Sequence, residues 1–431
     1  MKRIIPLLIS AIVLLSSCQY VEDMIGEDVV DRARETVERA VTFVHDSGAY
    51  DRLREFEQNI RESATIELPS IDGIADISLE YLTDAIERAN ELRDQFTEEF
   101  LDSDSGEQVK EIERSVTIDI STGEPEVRFI MSRDLAQADV DNLIVKADVV
   151  KIGFRPRMLQ QEFETHEAIH IGVVNDDSRS IITFEDQYEN EIKFQNNVTI
   201  SITDNSITNH SVVFNVQDGS QVLIGGRMDD NQLVFQTREG GEFIVGTNKV
   251  EFADIYGEDP ETQDAIEYLA ARGIFDLLTE MQEFHPESTV TRADAVTMIT
   301  KTLFKYDIDN VANFTDISRG DWHYTAVASA AAEDIVVGYP DNTFRPHNAI
   351  SKQELLVIAA NTLISDRRHI LPENVQIFLG DFEDDIAYWA RAYVAMCVRD
   401  GIVEQDRIYD GAGAISRAQA AVILYNLFMM L

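Results

Sequence analysis

Residues 338–354 read Gly-Tyr-Pro-Asp-Asn-Thr-Phe-Arg-Pro-His-Asn-Ala-Ile-Ser-Lys-Gln-Glu, and this stretch decides the fold of the C-terminal part of the chain. It ends with Ser351 and, three residues later, Glu354, which is the spacing of a capping box at a helix start. Leu355 and Ile358 follow at helical spacing. The stretch therefore predicts a capped helix that begins just after Ser351.

The same four-residue pattern opens three helical runs: a Ser or Thr, a basic residue, any residue, and an acid or amide. It occurs as Thr291-Arg292-Ala293-Asp294, Ser351-Lys352-Gln353-Glu354 and Ser416-Arg417-Ala418-Gln419, with starts 60 and 65 residues apart. An aromatic-to-acid landmark lies upstream of each, as Phe252-Ala253-Asp254, Phe314-Thr315-Asp316 and Phe378 to Asp384. Landmarks that recur in order indicate three tandem modules.

In these landmarks the chain resembles the S-layer homology (SLH) family, from Phe252 to the C-terminus. The resemblance implies modules at 252–309, 314–366 and 378–431, packed as an all-α pseudo-threefold trimer. It also implies that grooves between the modules bind a secondary cell-wall polysaccharide, often a pyruvylated one. The basic residue of the four-residue pattern would contact the acidic sugar.

Capping does not explain that basic residue, because the helix dipole disfavours a cation in the first turn. A cation beside a helix N-terminus can bind an acidic ligand, because both attract anions. The alternative role for the basic residue is a surface salt bridge, for instance to Asp254. The copies are unequal, since Glu261 stands where the first copy should carry the tryptophan seen at Trp322 and Trp389. The candidate polysaccharide-binding residues are Arg292, Lys352, Arg417, Asp254, Asp316, Trp322, Gly338 and Tyr339.

The first residues are typical of an export signal. Two basic residues precede an apolar run from Ile4 to Leu15 that is too short for a stable membrane span. Leu15-Ser16-Ser17-Cys18 resembles the lipobox of bacterial lipoproteins, which implies removal of residues 1–17, lipidation of Cys18 and a tether over 18–26. The alternative is an ordinary signal peptide with a cysteine at this place by chance.

Charge and cysteine content narrow the class of protein. Asp and Glu number 79 against 36 Lys and Arg, for a formal charge of −43, so the surface repels nucleic acid and anionic lipid head groups. With Cys18 lipidated, Cys397 has no disulfide partner and is expected to be a small buried hydrophobe. The chain is therefore neither a disulfide scaffold nor a cysteine-based zinc protein.

The hydrophobic period changes twice before the repeats. Residues 27–105 predict an acidic helical domain, whose third helix carries Leu82, Ile86 and Ala89. A small antiparallel bundle that serves as a spacer is favoured over an oligomerising coiled coil. In residues 108–250 apolar and polar residues alternate, as in Val198-Thr199-Ile200-Ser201-Ile202. This pattern predicts an antiparallel β domain, either sandwich or barrel.

One motif in the β domain favours a different class of function. His166-Glu167-Ala168-Ile169-His170 matches H-E-x-x-H, which on a helix binds zinc through both histidines and uses the glutamate as general base. The following residues are rich in β-formers, however, so a strand is predicted here and no metal site at His166 and His170.

The sequence as a whole predicts a multidomain α+β protein of the extracytoplasmic cell envelope. It would be held to the membrane by its lipid and to the wall by SLH modules, would display the central domains, and would need no cofactor. Enzymatic activity is not expected. The alternative function is a zinc-dependent hydrolase displayed by SLH modules.

Overall fold

The computed structural model describes residues 64–68, 74–101, 114–120, 124–176, 179–275, 283–303, 310–365, 371–372, 374–408 and 410–430. The predicted signal peptide, lipidation site Cys18, tether and first two helices lie outside these residues.

The described residues before position 250 are dominated by two seven-stranded sheets rather than by separate helical and antiparallel β domains. In chain order the strands are β1 (Thr65–Glu67), β2 (Ile74–Ile77), β3 (Ser115–Asp119), β4 (Glu126–Ser132), β5 (Asn142–Ala147), β6 (Val150–Phe154), β7 (Ala168–Asp176), β8 (Arg179–Asp186), β9 (Lys193–Thr203), β10 (Ser211–Gln217), β11 (Ser220–Gly225), β12 (Arg227–Asp229), β13 (Gln232–Glu239) and β14 (Gly241–Thr247). One sheet has the order β1-β3-β5-β6-β9-β13-β12, and the other has β11-β10-β14-β8-β7-β4-β2.

Both sheets are mixed, so the prediction of an antiparallel β domain is wrong. The pairs β1–β3, β3–β5 and β2–β4 are parallel, and the remaining pairs are antiparallel. The chain alternates between the two sheets from β1 to β5, and it returns to each sheet in the same direction. Successive strands of one sheet are then connected through the other sheet, so they run parallel to each other. Parallel pairs need such a crossover, whereas antiparallel pairs need only a hairpin.

Alternating apolar residues of both sheets fill one shared core, as the sequence pattern predicts. In β9, Val198, Ile200 and Ile202 are buried, and the residues between them are only partly buried. Each fully buried aliphatic side chain of this kind stabilises the fold by about 1.5–3 kcal/mol.

Helix α1 (Leu79–Leu101) confirms the third helix predicted in 27–105, and among the described residues it packs against the β domain. Its buried residues Leu82, Ile86 and Ala89 pack into the core of the sheets. The short strands β1 and β2 fall in the same segment and join the sheets. In its described part, the predicted helical domain is therefore part of the β domain.

The C-terminal region combines helices with β-bridges, so the predicted all-α pseudo-threefold trimer is wrong. Its α-helices are α3 (Pro260–Ala271), α4 (Arg292–Thr302), α5 (Tyr324–Ala332), α6 (Lys352–Ser365), α7 (Val375–Leu379), α8 (Arg391–Arg399) and α9 (Arg417–Met430). Helix α2 (Pro156–Thr165) precedes them in the chain and belongs to the β domain. The extended segments that lead into α4, α6 and α9 are joined by the bridges Thr289–Ser416, Thr291–Ala349 and Ser351–Ala414. Among the described helices, none is long and apolar enough to cross a bilayer.

Arg272 joins the β domain to the C-terminal region. It is 5% exposed and follows α3, and its guanidinium donates to the carbonyl oxygens of Gly226 at 2.7 Å, Asn209 at 2.9 Å and Ser211 at 3.2 Å, which all belong to the β domain. It also donates to the carbonyl of Tyr268 and lies 3.3 Å from the centre of that ring. One buried cation thus satisfies backbone acceptors on both sides of the boundary.

Candidate binding site at the three capped helices

The capping boxes predicted from the four-residue pattern are confirmed at α4, α6 and α9. At α4 the Thr291 hydroxyl accepts from the Asp294 N–H at 3.2 Å, and the Asp294 carboxylate accepts from the Thr291 N–H at 3.1 Å. The same reciprocal bonds join Ser351 to Glu354 and, at 3.3–3.4 Å, Ser416 to Gln419. The side chains therefore satisfy backbone groups that a helix start leaves without partners.

The three helix starts are linked in a closed ring of backbone hydrogen bonds, here called the cap ring. Each basic residue donates its own N–H to a carbonyl of another segment of the repeat region. The pairs are Arg292 to Asn348 at 2.9 Å, Lys352 to Gly413 at 3.0 Å and Arg417 to Ser288 at 2.8 Å. The first helix thus depends on the second segment, the second on the third, and the third on the first.

The side chain of each basic residue bonds to the same neighbouring segment as its own backbone N–H group. Arg292 donates to the Phe344 carbonyl at 3.0 Å, Lys352 to the Arg407 carbonyl at 2.9 Å, and Arg417 to the Phe284 carbonyl at 2.9 Å. Arg292 and Lys352 are only 6% and 7% exposed. Both are therefore buried at contacts between segments, and burial lowers the pKa of the Lys352 ammonium.

Arg292 has a carboxylate partner, but it is Glu354 rather than the Asp254 considered from the sequence. The guanidinium lies 3.3 Å from Glu354, which also accepts from the Tyr339 hydroxyl at 2.9 Å. Burial alone would raise the pKa of Glu354, but hydrogen bonds from Ser351 and Tyr339 and the charge of Arg292 lower it. The guanidinium also lies 5.0 Å from the centre of the Tyr339 ring. The structure therefore brings Arg292 and Tyr339 together around a carboxylate that sequence reasoning assigned only to capping.

Asp254 and Asp316 occupy matching positions and hold matching turns. Asp254 accepts from the N–H groups of Phe284 and His285 at 2.9 and 2.7 Å. Asp316 accepts from those of Phe344 and Arg345, both at 2.7 Å. His285 and Arg345 have φ of 54° and 57°, a left-handed conformation that needs support in residues other than glycine. These carboxylates thus stabilise the loops that supply carbonyls to Arg292 and Arg417.

Two other predicted contact residues differ in accessibility. Trp322 is 48% exposed, and its ring lies beside His323, with centroids 5.1 Å apart. Gly338 has a packing role, because a Cβ atom there would lie 2.5 Å from the Phe314 ring. An exposed aromatic face is available for stacking on a sugar, whereas the glycine allows close approach of the loop.

Sequence reasoning missed Arg345, although it lies in the stretch that defines the second copy. Its guanidinium lies 3.8 Å from the Tyr339 ring centre, on a side chain that is 41% exposed, and pairs with Asp341 at 2.9 Å. Hydrogen bonds from Thr343 and Arg345 lower the pKa of Asp341 to about 2. An arginine two residues after a Gly-Tyr-Pro-Asp-Asn-Thr run was the available signal.

The H-E-x-x-H motif does not have the geometry of a zinc protease. Helix α2 ends at Thr165 with His166 as its C-cap, and His170 lies on β7, so the prediction of a strand is confirmed. The two histidines share no helix face, as that zinc site requires. In the part of the chain that the structure describes, no group of three or more His, Cys, Asp or Glu is arranged to hold a metal.

Comparison with known proteins identifies the first two segments. Residues 251–296 and 313–356 match the S-layer homology domain. These two repeats indicate attachment at the cell surface, and SLH domains bind secondary polymers of the cell wall. The third predicted module, 378–431, lies outside the match and stays a prediction.

The similar curated proteins include both enzymes and anchoring proteins. An amylopullulanase of Thermoanaerobacterium thermosulfurigenes is 28% identical over 304 residues, or 59% of this chain and 16% of that protein. The exoglucanase XynX of Acetivibrio thermocellus is 32% identical over 182 residues, or 41% of this chain and 16% of that protein. A cellulosome-anchoring protein of Acetivibrio thermocellus is 25% identical over 147 residues, or 33% of this chain and 32% of that protein. The chain thus spans 16% of the length of the first two relatives.

Proposed function

We propose that this chain is a cell-envelope attachment protein whose repeat region binds a secondary cell-wall polysaccharide non-covalently. The observation that carries the proposal is the match of residues 251–296 and 313–356 to the SLH domain, together with the cluster of Arg292, Tyr339 and Glu354 between those two segments. The ligand is an acidic, often pyruvylated polymer.

The contact residues divide into two groups by what their side chains do in the structure. Trp322 stacks on a sugar face, and Tyr339 and Arg345 offer a ring and a cation at the surface of the same segment. The remaining contacts, at Arg292, Lys352, Arg417, Asp254, Asp316 and Gly338, act mainly by fixing the loops that shape the groove. Ligand specificity then resides in the first group, and groove shape resides in the second.

Residues 378–431 form a third module in this proposal. Helix α9 has the same capping pattern as α4 and α6, and Arg417 continues the cap ring. Several weak grooves on one chain raise avidity without a tighter single site.

At the other end of the chain, lipidation of Cys18 holds the protein to the membrane, so that the chain connects membrane to wall. Two acyl chains make a durable anchor, whereas one alone is marginal. The β domain lies between these attachments and is displayed by them. In this proposal the chain itself is not an enzyme, requires no cofactor and binds no nucleic acid.

Binding to purified wall sacculi tests the polymer. The full chain should sediment with sacculi that retain their secondary polymer and stay in solution when that polymer has been extracted. Undiminished binding to extracted sacculi would show that the ligand is peptidoglycan instead. Hydrolysis of wall or plant polysaccharide by the purified chain would contradict the non-enzymatic assignment.

A Trp322→Ala variant tests the groove, because this side chain is half exposed and its removal leaves the cap ring intact. We expect the affinity for sacculi to fall about 5- to 150-fold, in line with about 1–3 kcal/mol for an aromatic stacking contact. Tyr188→Ala is the matched control, since Tyr188 is an aromatic residue on the β domain that is 74% exposed. Equal binding by both variants would exclude Trp322 from the site.

A further inference from the structure

His323 is a buried titratable group whose ring makes no hydrogen bond to the residues that the structure describes. It is the residue immediately before α5, is 2% exposed, and neither of its ring nitrogens has a hydrogen-bond partner among the described residues. A buried polar atom left in this state costs free energy comparable to a lost hydrogen bond. The effect of protonating this imidazole depends on the groups around it.

The ring sits between other rings rather than among hydrogen-bond acceptors. The Trp322 ring lies across it at an interplanar angle of 84°, and the His347 ring lies 5.9 Å away at 89°. His347 is exposed and adds electrostatic repulsion to any charge on His323. The immediate surroundings of His323 therefore do not favour a cation.

The carboxylates that face His323 are already engaged. Asp294 on α4 closes the capping box with Thr291, Asp316 holds the turn at Phe344, and Asp321 accepts from the Ser318 N–H at 2.7 Å. Burial is the largest influence on His323 and lowers its pKa; His347 acts in the same direction, and the three carboxylates oppose it. The net pKa lies below the ordinary value, so these acids do not compensate for the burial.

The other repeat segments do not carry a titratable group here. Counting from the tryptophan position, the residue that matches His323 is Thr262 in the first segment and Ala390 in the third, and both are buried. The Thr262 hydroxyl donates to Asp259 at 2.8 Å, and Ala390 needs no partner. A small or self-satisfied residue therefore suits this position in the fold, and histidine is particular to the second segment.

We propose that His323 makes the packing of α5 against α4 sensitive to mild acid, so that a proton taken up by its imidazole loosens the contact between the first two repeats. The proposal deepens the proposed function, because α4 carries Arg292 and α5 follows Trp322. Its test measures the packing itself and does not require a polymer.

The pH window follows from the direction of the pKa. Above the ordinary histidine pKa of about 6.5, the folded and unfolded chains are both neutral at this position and the packing is fully stable. As the pH falls below that value, the unfolded segment takes up a proton and the folded one does not. The ratio of closed to open segments then falls by up to about tenfold per pH unit, until the lower pKa of the folded state is reached.

Amide hydrogen exchange of the full chain at pH 7.5 and pH 5.5, expressed as protection factors, measures this ratio. We expect protection in 292–302 and 324–332 to fall several-fold between the two pH values, while protection in 417–430 changes little. In His323→Ala and His323→Thr, which copy the third and first segments, the two helices should keep equal protection at both pH values. The readout is the difference between pH values, so a uniformly weakened variant still gives an answer.

His347→Ala is the matched control, because it removes the exposed neighbour and leaves the buried imidazole. This variant should retain the wild-type fall in protection. The proposal is overturned if the wild type shows no fall, if both His323 variants fall as far as the wild type, or if His347→Ala alone abolishes the effect.

Discussion

Replacement of Arg272 by alanine should uncouple the β domain from the repeat region. The guanidinium makes four hydrogen bonds to carbonyl oxygens, three of them across the domain boundary. Hydrogen bonds from a charged group contribute about 2 kcal/mol each. Burial lowers the pKa of Arg272 to about 10, which corresponds to roughly 3 kcal/mol of unfavourable burial of the charge. The three bonds across the boundary contribute about 6 kcal/mol before that cost of burial, so the variant should lose about 3 kcal/mol at the boundary.

The positions of the two tryptophans provide a direct assay. Trp322 and Trp389 both lie in the repeat region, so tryptophan fluorescence follows that region alone, whereas far-ultraviolet circular dichroism also follows the sheets. In urea, the wild-type transitions seen by the two probes should coincide. In Arg272→Ala we expect them to separate, with the weaker region unfolding at a lower urea concentration.

Arg128→Ala is the control for this experiment. Arg128 is 63% exposed and pairs with Glu126 at 2.8 Å, so its loss should change stability by less than about 1 kcal/mol and leave the transitions coincident. A loss below about 1 kcal/mol in Arg272→Ala, with both probes still superimposed, would refute the role of Arg272 as the link between domains.

Three further perturbations test the packing of the repeat region. Thr291→Ala removes the α4 capping box and should lower the free energy of unfolding by about 1 kcal/mol in urea titrations, whereas Thr289→Ala, on an exposed residue nearby, should have little effect. Gly338→Ala brings a methyl group against Phe314 and should cost about 1–3 kcal/mol, whereas Gly320→Ala meets nothing within 4 Å; equal costs would contradict the close approach. Cys397 is fully buried, and burial raises the pKa of its thiol. In a Cys18→Ser chain a thiol reagent should therefore label Cys397 only in denaturant, and rapid labelling of the native chain would refute its burial.

Local patterns predicted the elements of this fold better than their pairing. The alternation at Val198, Ile200 and Ile202 gave a strand, and the spacing of Leu82, Ile86 and Ala89 gave a helix. The parallel pairs were missed because strand direction depends on how the chain alternates between sheets, which no local period records. The ten-residue α2 was also missed, since a helix this short offers few periodic positions.

In the candidate site, too, local features could be predicted from the sequence and long-range contacts could not. The capping boxes involve residues three apart in sequence, and their chemistry could be predicted from the pattern alone. The partners of the basic residues could not, because Arg292 and Arg417 bind carbonyls 52 and 133 residues away in the chain. A carbonyl acceptor belongs to every residue type and leaves no trace in the sequence. The burial of Arg292 and Lys352 was therefore invisible until the segments were assembled.

The cap ring also has a consequence for engineering with these repeats. Each helix start is completed by backbone groups of another segment, so a single repeat excised as a portable wall-binding tag would carry unsatisfied donors at one end and unsatisfied acceptors at the other. A truncation after residue 365 would leave the same open ends, even though both segments that match the SLH domain would remain. A new chain break introduced between segments, with the ring kept whole, should be tolerated far better, because closure depends on contacts in space and not on chain order.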